Sequence, residues 1–129
     1  MITKEKIKHF LRKLYSIRYS NVSSAKYWTS HNITFHYEFK NKEDSLHYMR
    51  WRFNHYPNYE KLMPCSGFDD KIILDYGCGP GHDIVGFIEY SKPRKIIAMD
   101  VSPTSLMETQ KRVSLHNGLD KVEIKYLLN

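Results

Sequence analysis

Residues 71–128 predict an α/β fold on a parallel sheet, and three observations carry that prediction. Aliphatic runs, "KIILDY" (71–76), "KIIAMD" (95–100) and "KVEIKYLL" (121–128), recur at strand length. Helix-like segments separate them, and their residues are apolar enough for strands covered on both faces. Strand–helix–strand–helix–strand in that texture is the pattern of parallel strands joined by crossovers.

Each element follows from local chemistry. Ile7, Phe10, Leu11, Leu14 and Ile17 recur every three or four positions, so residues 3–18 form an amphipathic helix with Lys and Arg on its other face. From Ser20 to Lys40 the chain is polar and aromatic without a clear period, which predicts an ordered lid or loop. Asn41 with Asp44 reads as a helix N-cap pair, and Leu46, Met49 and Phe53 share a face as far as Pro57, giving a helix over 42–55. Pro64 and Gly67 then mark irregular chain. His82–Tyr90 follows the first strand as a short helix and Pro93 breaks it. Ser102 and Pro103 supply an N-cap and a first-turn proline for a helix that reaches about Asn117 and stops at Gly118. The chain divides into a helical and aromatic cap, residues 1–69, and a sheet-bearing part, residues 70–129.

With 129 residues, 41% apolar and 26% charged, the chain has the composition of one ordinary globular domain. No apolar run approaches the roughly 18 residues of a membrane-spanning helix, and the N-terminal apolar residues are interrupted by bases, so a cytoplasmic location is expected. The net charge of +6 is concentrated in residues 1–30, where seven bases meet the single acid Glu5. Such a basic helix docks on its own domain, on a partner, or on an anionic membrane or nucleic acid. Cys65 and Cys78 form no CxxC and the seven His no metal-ligand spacing. They read as reduced thiols, and no metal is expected.

The chemistry concentrates in Asp75-Tyr76-Gly77-Cys78-Gly79-Pro80-Gly81, at the carboxyl end of the first strand. Ligands bind there in parallel sheets because backbone N–H groups and a helix N-terminus point into the crevice. Glycines let a ligand approach the backbone and permit positive φ. The spacing excludes two ligand classes. A dinucleotide fingerprint fails in both registers, with His82 or Ile84 where the third glycine belongs, and no Gly-Lys pair exists for a P-loop.

"ILDYGCGPG" resembles the first motif of the class I S-adenosylmethionine-dependent methyltransferases, and "IIAMDVSP" resembles their second, an acid closing strand two. Asp100 lies 19 residues after Gly81, close to the roughly 20 that an acid reaching a ribose requires. The resemblance implies a Rossmann-like sheet, first half only, with three strands in the order 3-2-1 behind the N-terminal cap. It implies S-adenosyl-L-methionine as cofactor and methyl transfer to a small-molecule acceptor. Asp75 would fix the loop and face the methionine ammonium. Gly77, Cys78, Gly79 and Gly81 would carry the backbone against the cofactor, and Asp100 would accept from both ribose hydroxyls. Val101 and Ser102 would border the adenine, while Asp83 would cap its helix or touch the cofactor. His31, His36, His47, His55, Tyr27 and Tyr56 are general-base candidates by type alone, and Arg52 and Tyr56 are placed to approach the cofactor carboxylate or to pack.

Members of that family resemble one another in a seven-stranded sheet whose first strand is central. Strands four to seven are not in this sequence, so the outer edge of Ile72–Leu74 is expected to lack a partner. That favours the N-terminal part of a longer methyltransferase, or a chain whose sheet is completed by a second copy or a partner. The alternative is a non-catalytic module that assembles through its half-sheet and basic helix.

Overall fold

The structure, a computed structural model, describes residues 23–127. The helix expected over 3–18 lies outside the described residues. Among those described, the order is α1 (Ser24–Ser30), α2 (Lys42–His55), α3 (Tyr59–Leu62), β1 (Ile72–Tyr76), α4 (His82–Tyr90), β2 (Lys95–Asp100), α5 (Pro103–Leu115) and β3 (Val122–Tyr126).

The three strands are parallel, with β2 between β1 and β3. Ile73 pairs with Ile96, and Ile96 with Val122, so the register brings aliphatic side chains together near the start of the strands. Helices α4 and α5 cover one face of the sheet with Ile84, Phe87, Leu106 and Val113, which share a cluster with Ile73, Ile96 and Ala98. Ile96, fully buried in the central strand, is the residue this cluster closes around. Ile96→Ala is expected to cost about 2–5 kcal/mol, the usual loss for a large core aliphatic, as read by urea unfolding; a loss under 1 kcal/mol would mean that the cluster does not hold the sheet.

The opposite face differs. Ile72, Leu74 and Tyr76 alternate with the covered Ile73 and Asp75 and are 56%, 59% and 72% exposed. No strand pairs with the outer edge of β1 among the described residues.

The cap holds the departures from expectation. Helix α1 forms inside the stretch read as loop, because the Ser23 side chain accepts from Lys26 N–H at its start. Helix α3 forms in the stretch read as irregular, entered through Asn58 in the left-handed region. Helix α2 has the expected bounds, with Asn41 Oδ1 accepting from Asp44 N–H at 2.9 Å. It turns Ser45 and Met49 inward, one helical turn apart.

Candidate ligand-binding site

The glycine loop is fastened to β2 from below. Gly77 and Cys78 both donate to Met99 O, at 2.8 and 3.0 Å, which carries the chain over the end of the sheet. Gly77, Gly79 and Gly81 all have positive φ, the region in which a Cβ is penalised by about 1–2 kcal/mol per residue. A Cβ on Gly77 or Gly79 would meet nothing within 4 Å, so open space lies above them. Gly81 is constrained differently, since its Cβ would stand 3.1 Å from Thr109 Cγ2. Thr109 Oγ1 also donates to Gly79 O at 2.7 Å, so α5 braces the loop.

Asp100 performs two tasks at once. Its Oδ2 accepts from Gly79 N–H and its Oδ1 from Ser102 N–H, both at 2.8 Å. The carboxylate thereby ties the glycine loop to the start of α5, whose N-cap is Ser102. Each oxygen retains a further lone pair.

These elements wall a cavity of about 430 Å³, within the range of small-molecule pockets, about 300–1,000 Å³. Gly77, Cys78, Gly79, Asp83, Asp100 and Val101 line it. Asp75, Gly81 and Ser102 do not; they stand behind the wall, Gly81 packed on Thr109 and Ser102 fully buried as a cap. The cap region contributes Trp28, Asn32, Ile33 and Arg52 to the lining, so two parts of the chain distant in sequence share the cavity.

Asp83 is held by the cap. Its Oδ1 accepts from Arg52 Nη1 at 3.2 Å and from the Tyr59 hydroxyl at 3.0 Å. Burial, then the Asp83 charge, pushes the Tyr59 phenol up to about 12, so it remains a donor. Asp75 sits close by with one carboxylate oxygen, Oδ2, buried and without a hydrogen-bond partner. Burial first, and then the Asp83 and Asp100 charges, push its carboxyl up to about 6.

None of the six base candidates lines this cavity. His36 is engaged by Glu108 Oε1 at 2.6 Å, His55 stacks on Trp51, and His31 stacks on Tyr27. Tyr56 is likewise absent from the lining, whereas Arg52 is present. Cys65 and Cys78 are both buried and free. Burial pushes the Cys78 thiol up to about 12 and Cys65 to about 11, so neither is a nucleophile at neutral pH.

Three residues were not singled out by sequence reasoning: Thr109, Arg112 and His82. Arg112, 1% exposed, lies over the Phe39 ring at 4.1 Å and donates to Ser45 Oγ at 2.7 Å and to His82 Nδ1. The Ser45 hydroxyl meets His116 Nε2 at 2.9 Å, and His116 Nδ1 meets Glu89 Oε1 at 2.8 Å. This buried polar chain links α2, α4 and α5 behind the cavity. No sequence motif marks it, because its members are isolated polar residues on three separate helices.

A parallel half-sheet with this glycine loop after β1 and an acid closing β2 is a partial Rossmann-like α/β arrangement. No family profile matches the chain. Over 55 residues it is 31% identical to the ribosomal protein L11 methyltransferase of Acinetobacter baylyi, covering 43% of this chain and 18% of that protein. Over 56 residues it is 34% identical to the protein of the same name in Acinetobacter baumannii, again covering 43% and 18%. The matched stretch is thus less than a fifth of those relatives' length. Among solved structures, a Haemonchus contortus phosphoethanolamine N-methyltransferase in complex with phosphoethanolamine and S-adenosylhomocysteine has a TM-score of 0.42 at 12% identity, covering 98% of this chain and 22% of its own. A DhpI–SAH complex has a TM-score of 0.38 at 20% identity, covering 67% and 44%.

Proposed function

We propose that this chain binds S-adenosyl-L-methionine and forms the cofactor-holding part of an enzyme that transfers methyl groups to a small molecule. The observation that carries the reading is the pairing of open space above Gly77 and Gly79 with Asp100 at the same cavity wall. When bound, the cofactor supplies an electrophilic sulfonium methyl that an N, O or C nucleophile of the acceptor takes up.

The chain's own residues bind and orient. Asp75, behind the glycine loop with Oδ2 lacking a protein donor, acts on the ligand's ammonium group through its charge. Gly77, Cys78, Gly79 and Gly81 bring the loop backbone against the ligand. Asp100 offers its remaining lone pairs to the ribose hydroxyls while its other bonds hold the loop still. Val101 lies where the adenine would sit, Ser102 supports that edge as a helix cap, and Asp83 acts through Arg52. Rate enhancement then comes mainly from holding acceptor and methyl in line within a dry site.

In this reading residues 1–69 cap the site and residues 70–129 carry it. Two buried free thiols suit a reducing compartment, and the cytoplasm is the matching location. Among the described residues no helix is long and apolar enough to cross a membrane. The free edge of β1 and its exposed Ile72 and Leu74 favour a strand partner from a second copy or another chain. Sedimentation velocity over a concentration series tests that association; a strictly monomeric chain at every concentration counts against it.

Titration calorimetry with S-adenosylhomocysteine is the deciding measurement. The proposal expects saturable one-site binding. No heat at any concentration would sink the cofactor assignment and return the half-sheet to the assembly reading.

A further inference from the structure

A second cavity of about 430 Å³ is walled by residues 36–39 and by α5. Pro80 is the one residue common to its lining and that of the first cavity, so the two are separate spaces. The function proposed above makes no use of the second.

Arg112 lines it and is 1% exposed. A guanidinium has five N–H groups, and three are engaged here: Nε donates to Ser45 Oγ at 2.7 Å, Nη2 to Ser45 O at 3.1 Å, and Nη1 to His82 Nδ1. Two are left, one on each Nη. All of these acceptors are neutral, since burial first, and then the Arg112 and Arg52 charges, keep the His82 ring unprotonated. The Phe39 ring lies 4.1 Å from the guanidinium carbon and attracts the cation, but no carboxylate pairs with it among the described residues. A buried arginine is ordinarily paired, because an uncompensated charge away from water is costly.

The carboxylates in the same lining are committed elsewhere. Glu108, one turn before Arg112 on α5, is held by His36 Nδ1 at 2.6 Å and by Asn32 Nδ2. Glu38 pairs with Lys111 at 2.8 Å, and both side chains are largely exposed. Such a pair is worth little, so Lys111 can turn to an anion inside the cavity at small cost. Phe39 and Leu115 add apolar surface to the lining.

We propose that this second cavity binds a small organic oxyanion, a phosphate or carboxylate group on an apolar body, with Arg112 and Lys111 taking the anion and Phe39 and Leu115 the body. Arginine suits the task because its planar fork presents two N–H groups to one oxyanion. The site stands apart from the cofactor cavity and does not depend on the cofactor reading.

Calorimetry on the full chain with phenyl phosphate, benzoate and inorganic phosphate tests this. Saturable binding of phenyl phosphate or benzoate is expected, and the tighter of the two identifies the anion. Inorganic phosphate, which has no ring, should bind about threefold or more weakly than phenyl phosphate; equal binding would overturn the apolar half of the assignment. Arg112→Met should weaken the organic anion by about tenfold or more. Glu38→Gln, at an exposed position, frees Lys111 and should tighten it by about twofold to threefold, a gain that structural damage cannot produce and that decides the matter if Arg112→Met does not fold. Amide resonances of residues 36–39 and 108–115 should shift on binding. No saturable binding of either organic anion, unchanged affinity in a folded Arg112→Met, affinity not raised in Glu38→Gln, or shifts confined to the glycine loop would each overturn the site.

Discussion

Asp75→Asn is expected to stabilise the fold at pH 7 by about 1–3 kcal/mol while removing measurable affinity for S-adenosylhomocysteine. The cause is a carboxylate placed where it is costly to ionise. Its carboxyl is pushed from 3.8 to about 6, first by burial and then by the Asp83 and Asp100 charges, with Arg52 opposing. Because the folded value lies above the unfolded one, the folded chain holds more protons between about pH 4 and pH 6. The stability that this group contributes is fully present below that window and is lost as the pH rises through it. Asparagine carries no charge to bury, so the variant's advantage should be near zero at pH 4 and complete above pH 6. Urea unfolding at pH 4.5 and pH 7 measures this, and an equal gain at both values would rule out ionisation as the cause. Ligand affinity should run the other way. An ammonium group favours the ionised carboxylate, so S-adenosylhomocysteine should bind more tightly as the pH rises through about 6.

Asp100→Ala should cost about 3–5 kcal/mol, together with loss of binding. Two backbone donors, Gly79 N–H and Ser102 N–H, depend on its two oxygens at 2.8 Å. Removing the carboxylate leaves both unpaired where Ser102 is fully buried. Asp100→Asn keeps one acceptor and turns an amide donor toward the other N–H, so roughly half that loss is expected. Urea midpoints for the two variants check the ranking. Should alanine and asparagine prove equally mild, Asp100 would be a ligand group only and not the tie between two loops.

Much of the sheet was legible in the sequence because its signals are local. β2 has the bounds that "KIIAMD" suggests, and α2 begins where Asn41 can accept from Asp44. The glycine loop was legible because glycine adopts positive φ at little cost, so three glycines at alternate positions mark such a turn. The losses have physical reasons too. Helix α1 spans seven residues and buries none of them, so no apolar period exists to be read. Helix α3 is a single turn entered through a left-handed asparagine. The cap's role in the cavity was half visible: Arg52 was read, from its place on the second helix, as able to approach the cofactor carboxylate or to pack, but Trp28, Asn32 and Ile33 arrive through packing between distant segments. His82 falls where the third glycine of a dinucleotide fingerprint would be. As a sequence feature it only excluded a motif. Its hydrogen-bonding sense depends on Arg112, thirty positions away on another helix.

The hydrogen bond from Gly79 to Asp100 has a consequence for how the loop can be watched in solution. An amide in a solvent-facing turn ordinarily trades its hydrogen for deuterium within seconds, but this one points into a buried carboxylate at 2.8 Å. Gly79 should therefore exchange at the pace of the sheet rather than of its neighbours. Its single nuclear-resonance signal becomes a gauge of whether the loop and β2 move as one body.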